Sequence, residues 1–516
     1  MSNLKCESTK KYSEVIMEWQ EAEKTRMQEA EKMAQTAALQ EGEPPSKSSA
    51  RSFDCAHRVR ISVRGLVEFI LRHGDLDNSG GYSDPDAMQE GVRLHKKIQK
   101  SMGAFYNAEV LMTTVSEVEY GGDWFEITVE GRADGVMTQS EEPVIVIDEI
   151  KCVYQELPHI KEIRPLHRAQ AMCYASQYAI EHNLSIIGIQ LTYCNIETES
   201  IKRFREDYTR EELVEWYDRL LREYAKWVSW RYQWGLVRDA SMKALAFPFT
   251  YRPGQKELAA NVYRTILRGK KIFIEAPTGV GKTISTLFPA IKAFGEGLSE
   301  KIFYLTAKTI TRTVAEETFR ILAAQGLHMK LVTLTSKEKS CILEKPDCNP
   351  AACERAKGHF DRVNDAVYDM LTHEAGITRE LILKYAQEYC VCPFEMSLDL
   401  TTWADGVICD YNYVFDPKVA LKRFFSLERE NNYIFLIDEA HNLVERAREM
   451  YSAVLYKEDF LTVKHLLKEK SVRMARALDA CNSTMLKLKR ECDEVEVWEN
   501  AGELPLMVTR LISEYE

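Results

Sequence analysis

Ile272-Phe273-Ile274-Glu275 reads as a buried strand. It runs into Ala276-Pro277-Thr278-Gly279-Val280-Gly281-Lys282-Thr283, a glycine loop that opens a helix. Gly279 and Gly281 let backbone N–H groups wrap phosphates, and the helix N-terminus adds a favourable dipole. Lys282 supplies a point charge for the outer phosphates, and the Thr283 hydroxyl can ligate Mg2+. The bland alternative is a chance glycine turn, and the apolar run before it and the Lys-Thr pair after it argue against that. Leu436-Ile437-Asp438-Glu439-Ala440-His441 would supply the other half of an ATP site. Asp438 ends an apolar run, placed to hold the metal's water shell, and Glu439 is placed to orient an attacking water. Upstream, Gln255 in Tyr251-Arg252-Pro253-Gly254-Gln255 suits adenine contact, or is a plain surface helix residue. Thr306, after the run Lys301–Leu305, suits either a nucleic-acid phosphate contact or a helix cap.

Two further sets of side chains carry chemistry. Five of the thirteen cysteines fall between Cys341 and Cys392. Cys341, Cys348, Cys353 and Cys392 offer four thiolates, a set that selects zinc or an iron–sulfur cluster. The spacing is wider than that of zinc ribbons and leans towards a cluster. Cys390 competes for the fourth place, and unrelated buried thiols are the alternative. Nearer the N-terminus, Asp134 follows one apolar run, and Glu149 and Lys151 lie on Val144–Lys151. Residues two apart on a strand share a face. Two carboxylates on a hard cation with a lysine alongside suit metal-assisted phosphodiester hydrolysis. His95 can complete the metal shell, and Gln170 and Tyr174, four apart on a helix, can grip a DNA backbone.

The order from Leu334-Thr335-Ser336-Lys337 through the cysteines, Cys392-Pro393-Phe394 and Ile408–Pro417 to the Asp438–His441 DEAH-like box resembles the XPD/DinG-type iron–sulfur helicases of superfamily 2. Ala276 in place of the loop's first glycine is a variant typical of that superfamily. The resemblance covers roughly residues 247–516. It implies ATP-driven 5′ to 3′ movement on single-stranded or forked DNA, a 4Fe–4S cluster on the four cysteines, and a helical arch after the box. The order Gly91…His95, Asp134, Glu149–Lys151, Gln170…Tyr174 resembles the RecB-like branch of the PD-(D/E)XK nucleases over roughly residues 60–235. That resemblance implies Mg2+ or Mn2+ on His95, Asp134 and Glu149, and a catalytic Lys151. Some relatives carry a cluster on flanking cysteines; no cysteine occurs between Cys194 and Cys341, so none is expected in this domain. The family's second motor domain and its arginine fingers would lie beyond Glu516, so the chain is expected to be the N-terminal part of a longer machine, with little or no unwinding of its own.

The expected fold class is α/β, with two unlike domains positioning these residues. Residues 1–54 are polar and end in Glu43-Pro44-Pro45-Ser46, which predicts a frayed helix and a flexible segment. Residues 55–235 predict a nuclease-like α/β domain: helices at Val63–Arg72, Gln89–Lys100, Arg168–Glu181 and Arg210–Trp230, strands at Phe125–Glu130, Val144–Ile150 and Ile186–Tyr193. Residues 236–444 predict a RecA-like parallel-sheet motor with strands at Lys271–Glu275, Lys301–Leu305 and Tyr433–Ile437, interrupted at 335–400 by the cysteine insertion. Residues 445–516 would begin the arch. Trp227, Trp230 and Trp234 with Tyr232 can stack bases, but at the end of an amphipathic helix they are better read as interdomain packing.

Composition bounds the rest. A net charge of −11 argues against bulk electrostatic coating of nucleic acid, though a local basic groove suffices for a machine that grips one strand. No apolar run approaches the ~20 residues of a membrane span, and no signal peptide opens the chain, so a cytoplasmic protein without a membrane partner is expected. The leading expectation is an ATP-dependent DNA helicase fused to a DNA nuclease, acting in repair or recombination. The alternative is a non-catalytic, nucleotide-responsive DNA-binding module with a redox-sensitive metal cluster.

Overall fold

The computed structural model describes residues 57–78, 85–138, 144–277, 279–307, 309–425 and 432–515. The polar segment 1–54 and Thr278 lie outside the described residues. Two units are resolved, one comprising residues up to 410 with 423–439, the other 411–422 with 440–516.

The first unit opens with an N-terminal α/β domain. Its elements are β1 (Arg58–Ser62), α1 (Val63–Ile70), α2 (Pro85–Ser101), β2 (Tyr106–Tyr120), β3 (Asp123–Met137), β4 (Val146–Val153), α3 (Pro165–Glu181), β5 (Ile186–Asn195), β6 (Ile201–Thr209) and α4 (Arg210–Ala244). The sheet runs β1-β3-β4-β5-β6, with β2 antiparallel to β3. The parallel pair β4 and β5 is central and read easily, because strands covered on both faces become nearly continuous apolar runs. β1, β2 and β6 were not expected from the sequence. Each leaves many residues exposed, and β6 alternates exposed and half-buried positions with a charge at nearly every turn of the pleat. Leu213, Tyr217, Leu220 and Leu221 of α4 and Ala171, Cys173 and Ala175 of α3 seal the sheet's core.

α4 starts at a full capping box. The Thr209 hydroxyl accepts from the Glu212 N–H, and Glu212 reaches back to the Thr209 N–H. The helix was expected to stop at Trp230. It continues unbroken to Ala244, past residue 235, and Met242 near its end is buried in the core of the next domain. A rigid helix, not a linker, joins the two domains.

The motor-like domain holds α5 (Gln255–Leu267), α6 (Lys282–Gly295), β7 (Lys301–Thr306), α7 (Thr309–Ala324), β8 (Leu331–Thr333), α8 (His359–His373), α9 (Arg379–Glu388), α10 (Pro393–Trp403), β9 (Gly406–Asp410) and β10 (Tyr433–Ile437). All pairings in the sheet β10-β7-β9-β8 are parallel. The expected strand at Lys271–Glu275 is absent. Those residues form no ladder, and Phe273 is 92% exposed. β10 bonds to β7 along one edge only, so the segment before the phosphate loop runs without a partner strand.

In the second unit, α11 (Leu443–Met450), α12 (Lys457–Leu467), α13 (Val472–Glu491) and α14 (Leu504–Tyr515) follow one another. A small core of Phe460, Met474, Leu478 and Cys481 holds α12 and α13 together. Among the described residues no helix is long and apolar enough to cross a membrane.

Candidate functional site

The nucleotide loop is built by glycine. Gly279 and Gly281 have φ of 82° and 77°, a left-handed backbone that disfavours side chains. A Cβ at Gly281 would stand 2.8 Å from Gln255 Nε2. Gln255, 7% exposed, accepts from the Arg252 N–H at 3.0 Å and donates to the Val280 carbonyl at 3.3 Å. Gln255 is therefore no surface residue; it ties the start of α5 to the loop. The Arg252 guanidinium also donates to the Gly279 carbonyl. Lys282 and Thr283 open α6, and Lys282 Nζ lies 3.2 Å from the Ala276 carbonyl and 3.8 Å from Glu439 Oε1. Asp438 hangs off β10, its N–H bonded to the Leu305 carbonyl at 3.0 Å. Burial, and then the neighbouring Glu439 carboxylate, push the Asp438 pKa up. Glu439 sits at φ 51°, a strained backbone that turns its carboxylate towards Lys282. Ala276 and Gly279–Thr283 thus face the Asp438–Glu439 pair beyond β10, where open parallel sheets bind ligands. Pro277 is exposed beside them. Thr306 ends β7 and is 4% exposed.

In the N-terminal domain the sequence-predicted set converges. Lys151 Nζ bonds Glu149 Oε1 at 2.7 Å and Gln170 Oε1 at 3.0 Å. Asp134 Oδ2 accepts from the Ile150 N–H at 2.7 Å, and Asp134 Oδ1 lies 3.6 Å from His95 Nδ1. The Tyr174 hydroxyl rests over Gly131, where a Cβ would come within 2.7 Å of it. Burial, then the charges on Glu149 and Asp134, raise the Tyr174 pKa. Glu149 is buried, and Oε2 has no hydrogen-bond partner. Its pKa is raised, chiefly by burial and against the pull of Lys151. Burial would lower the His95 pKa, but Asp134 and Cys152 outweigh it and hold it at about 10. An orphaned, buried carboxylate oxygen beside a second carboxylate fits a hard divalent cation.

Sequence reasoning missed the layer behind this set. Asp148, on the opposite face of β4 from Glu149, accepts from Tyr106 Oη at 3.1 Å, Thr192 Oγ1 at 2.6 Å and Gln190 Nε2 at 3.0 Å. These partners come from β2 and β5, far away in sequence, so no local spacing announces them. Nearby, His167 Nδ1 meets the Tyr193 hydroxyl at 3.0 Å. Burial, with the charges of Lys151 and Arg164, lowers its pKa to about 4. Between that value and 6.5 the unfolded chain binds the proton and the folded chain does not. Stability is then complete above about pH 6.5 and declines as pH falls towards 4, by at most about 3 kcal/mol. Melting temperatures from pH 7.5 to 4.5 should fall less steeply for His167→Gln than for the unaltered chain; equal slopes would disprove this assignment.

The cysteine insertion is mostly helical, but Cys348 and Cys353 lie in the irregular stretch before α8. Cys341 follows the turn Lys337–Ser340, and Cys392 caps the start of α10. Cys353 belongs to a small apolar cluster against which Cys392 packs, and Cys348 is near enough to help raise the Cys392 pKa, which burial pushes to about 11. Cys341 Sγ accepts from the Leu343 N–H at 3.4 Å, and the Leu343 side chain borders the same cluster. Cys390 (φ 52°) turns instead towards the Glu354 carbonyl. The buried His359 accepts the Cys392 N–H at 3.2 Å and steadies that corner. Thiols gathered around one small apolar cluster suit a soft metal or an iron–sulfur cluster. Among the described residues, however, no three His, Cys, Asp or Glu side chains are drawn up as a ready metal site, here or at Glu149.

A glycine loop and an Asp-Glu pair beside a parallel sheet are the parts from which a P-loop nucleotide site is built. Residues 305–460 match the DEAD_2 family. The chain is 25% identical over 257 residues to the Regulator of telomere elongation helicase 1 homolog of Caenorhabditis elegans, covering 41% of this chain and 25% of that protein. It is 25% identical over 234 residues to the General transcription and DNA repair factor IIH helicase subunit XPD of Dictyostelium discoideum, covering 38% and 29%. A solved structure titled XPD_Helicase aligns at TM-score 0.35 and 19% identity, over 52% of this chain and 46% of that one. The motor segment is similar to XPD-type superfamily 2 helicases, and the chain spans about a quarter of the length of these curated relatives.

Proposed function

We propose that the chain is the ATP-binding part of an iron–sulfur, 5′ to 3′ DNA helicase that also carries a metal-dependent DNA nuclease, serving repair or recombination on single-stranded or forked DNA. The observation that carries the motor half is the approach of Lys282 to Glu439 at 3.8 Å across the glycine loop. It puts a phosphate-binding cation beside a carboxylate able to orient water. Mg2+ would be held by Thr283 and Asp438. The nuclease half rests on the convergence of His95, Asp134, Glu149, Lys151 and Gln170, with Mg2+ or Mn2+ on His95, Asp134 and Glu149. There the cation would polarise the phosphate and activate water. Gln170 and Tyr174 would line the DNA backbone. Cys341, Cys348, Cys353 and Cys392 would hold the 4Fe–4S cluster. Residues 445–516 would begin the arch.

Lys282→Ala should weaken MgATP binding by about a hundredfold, since a hydrogen bond to a charged group contributes roughly 1.5–3 kcal/mol and is joined here by a Coulombic loss. Titration calorimetry reads this directly, and undiminished affinity would refute the motor reading. The non-catalytic alternative is favoured if MgATP changes DNA affinity while neither ATP turnover nor DNA cleavage is detected.

A further inference from the structure

Beside contacts from α1 and α4, the N-terminal domain meets the cysteine insertion through the loop of residues 71–78 that follows α1. Its backbone is bonded on both sides of the cysteines. The Asn78 N–H donates to the Cys348 carbonyl at 2.8 Å, and the Leu76 N–H donates to the Ala356 carbonyl at 2.8 Å. The start of α8 is gripped reciprocally. The Gly358 N–H donates to Asp75 Oδ1 at 2.6 Å, and the Gly74 N–H to Asp361 Oδ1 at 2.7 Å. Leu76 is buried in the same apolar cluster as Cys353, with Cys392 packed against it. Arg72, at the root of the loop, donates to Asp399 on α10 at 2.8 Å.

We propose that residues 72–78 are a wall of the cysteine pocket, so that loading the pocket and docking the N-terminal domain are one cooperative event. This rests on the reading that the four cysteines hold a metal or cluster. The segment from Cys348 to Gly358 has little secondary structure of its own, and the Cys348 and Ala356 carbonyls and the Gly358 N–H find partners in this loop. Groups bonded this way are costly to leave unpaired. Loss of the thiolate-bound group frees that segment, and the loop loses its partners. In the other direction, removing Leu76 opens the apolar cover over Cys353 and admits water and chelator.

The test uses the full chain, purified without oxygen. Iron, zinc and sulfide are first counted per chain. Release to a chelator is then timed for the unaltered protein, Leu76→Ala and Leu76→Met, and amide exchange is followed before and after stripping. Leu76→Ala should release metal at least about tenfold faster, since deleting a buried leucine side chain leaves a cavity beside Cys353, while Leu76→Met should stay near the unaltered rate. Stripping should speed exchange of the Gly74, Leu76, Asn78 and Phe360 amides, with the β4 and β5 amides still protected as proof of folding. If metal is present but release from Leu76→Ala and exchange at those amides are unchanged, the wall is refuted and the cysteine site stands. A chain with neither iron nor zinc refutes the cysteine site itself, and the wall with it.

Discussion

Lys151→Ala should reduce metal-dependent cleavage of single-stranded DNA by about 10²–10³-fold, the loss typical of removing one preorganised charge or donor from a transition state. Lys151 is held on two sides, by Glu149 at 2.7 Å and Gln170 at 3.0 Å, and keeps about a quarter of its side chain open to solvent. That geometry aims a cation at the place a scissile phosphate would take beside Glu149. Its removal has a second effect. Glu149 is buried, and Lys151 is the strongest influence keeping its carboxyl ionised. Without it the carboxyl is more readily protonated and becomes a poorer ligand for a divalent cation. Glu149→Gln removes that charge outright and should be at least as damaging, while leaving the melting temperature near the unaltered value because shape is kept. Cleavage of a labelled oligonucleotide in Mg2+ or Mn2+ checks both. Cleavage at the unaltered rate by a folded Lys151→Ala chain would end the nuclease proposal.

The legible parts of this protein are those written in local spacing. Gly279, Gly281, Lys282 and Thr283 lie within five residues, and the strained backbone they need is visible in their types. Glu149 and Lys151 are two apart on a strand, Gln170 and Tyr174 four apart on a helix, and both pairs share the faces that those periods dictate. What was not legible depends on a partner elsewhere in the chain. Ile272-Phe273-Ile274 has the composition of a buried strand, but burial needs a neighbouring strand, and β10 offers no ladder to it in this structure. β2 and β6 are edge-side strands with one wet face, so their charged residues masked their extended backbone. Asp148 looks like a surface charge beside Glu149 until β2 and β5 bring it three donors. The Cys348 carbonyl takes its hydrogen bond from the Asn78 N–H, about 270 residues upstream.

Asp405→Ala should destabilise the chain by about 3 kcal/mol, because it removes the buried acceptor of three donors, one of them a half-buried guanidinium. Asp405, 3% exposed just before β9, accepts from Arg238 Nη1 at 2.8 Å, Trp234 Nε1 at 2.8 Å and the Lys330 N–H at 2.8 Å. Arg238 and Trp234 both belong to α4, the helix that carries the N-terminal domain into the motor. The same helix sets Trp227 against Trp403, the last residue of α10, at 4.8 Å and against Tyr368 of α8 at 5.0 Å, so this ring serves packing rather than base stacking. Apolar contacts of that kind tolerate small shifts, whereas the Asp405 carboxylate fixes α4 at two points, Trp234 and Arg238, and ties them to the Lys330 N–H beside the sheet. In Asp405→Ala the guanidinium keeps only Asp239, at 2.7 Å, and its stacking over Phe294, while the indole N–H and the Lys330 N–H lose their acceptor. Asp405→Asn retains an acceptor but no charge and should fall between. Since a chain of this size need not unfold in one step, the measurement is urea unfolding followed by both tryptophan fluorescence and circular dichroism. The fluorescence transition, to which the four α4 tryptophans among the chain's eight contribute, should move to lower urea first. If Asp405→Ala leaves that transition within about 0.5 kcal/mol of the unaltered chain, as a mutation away from any key contact would, then apolar packing alone docks α4.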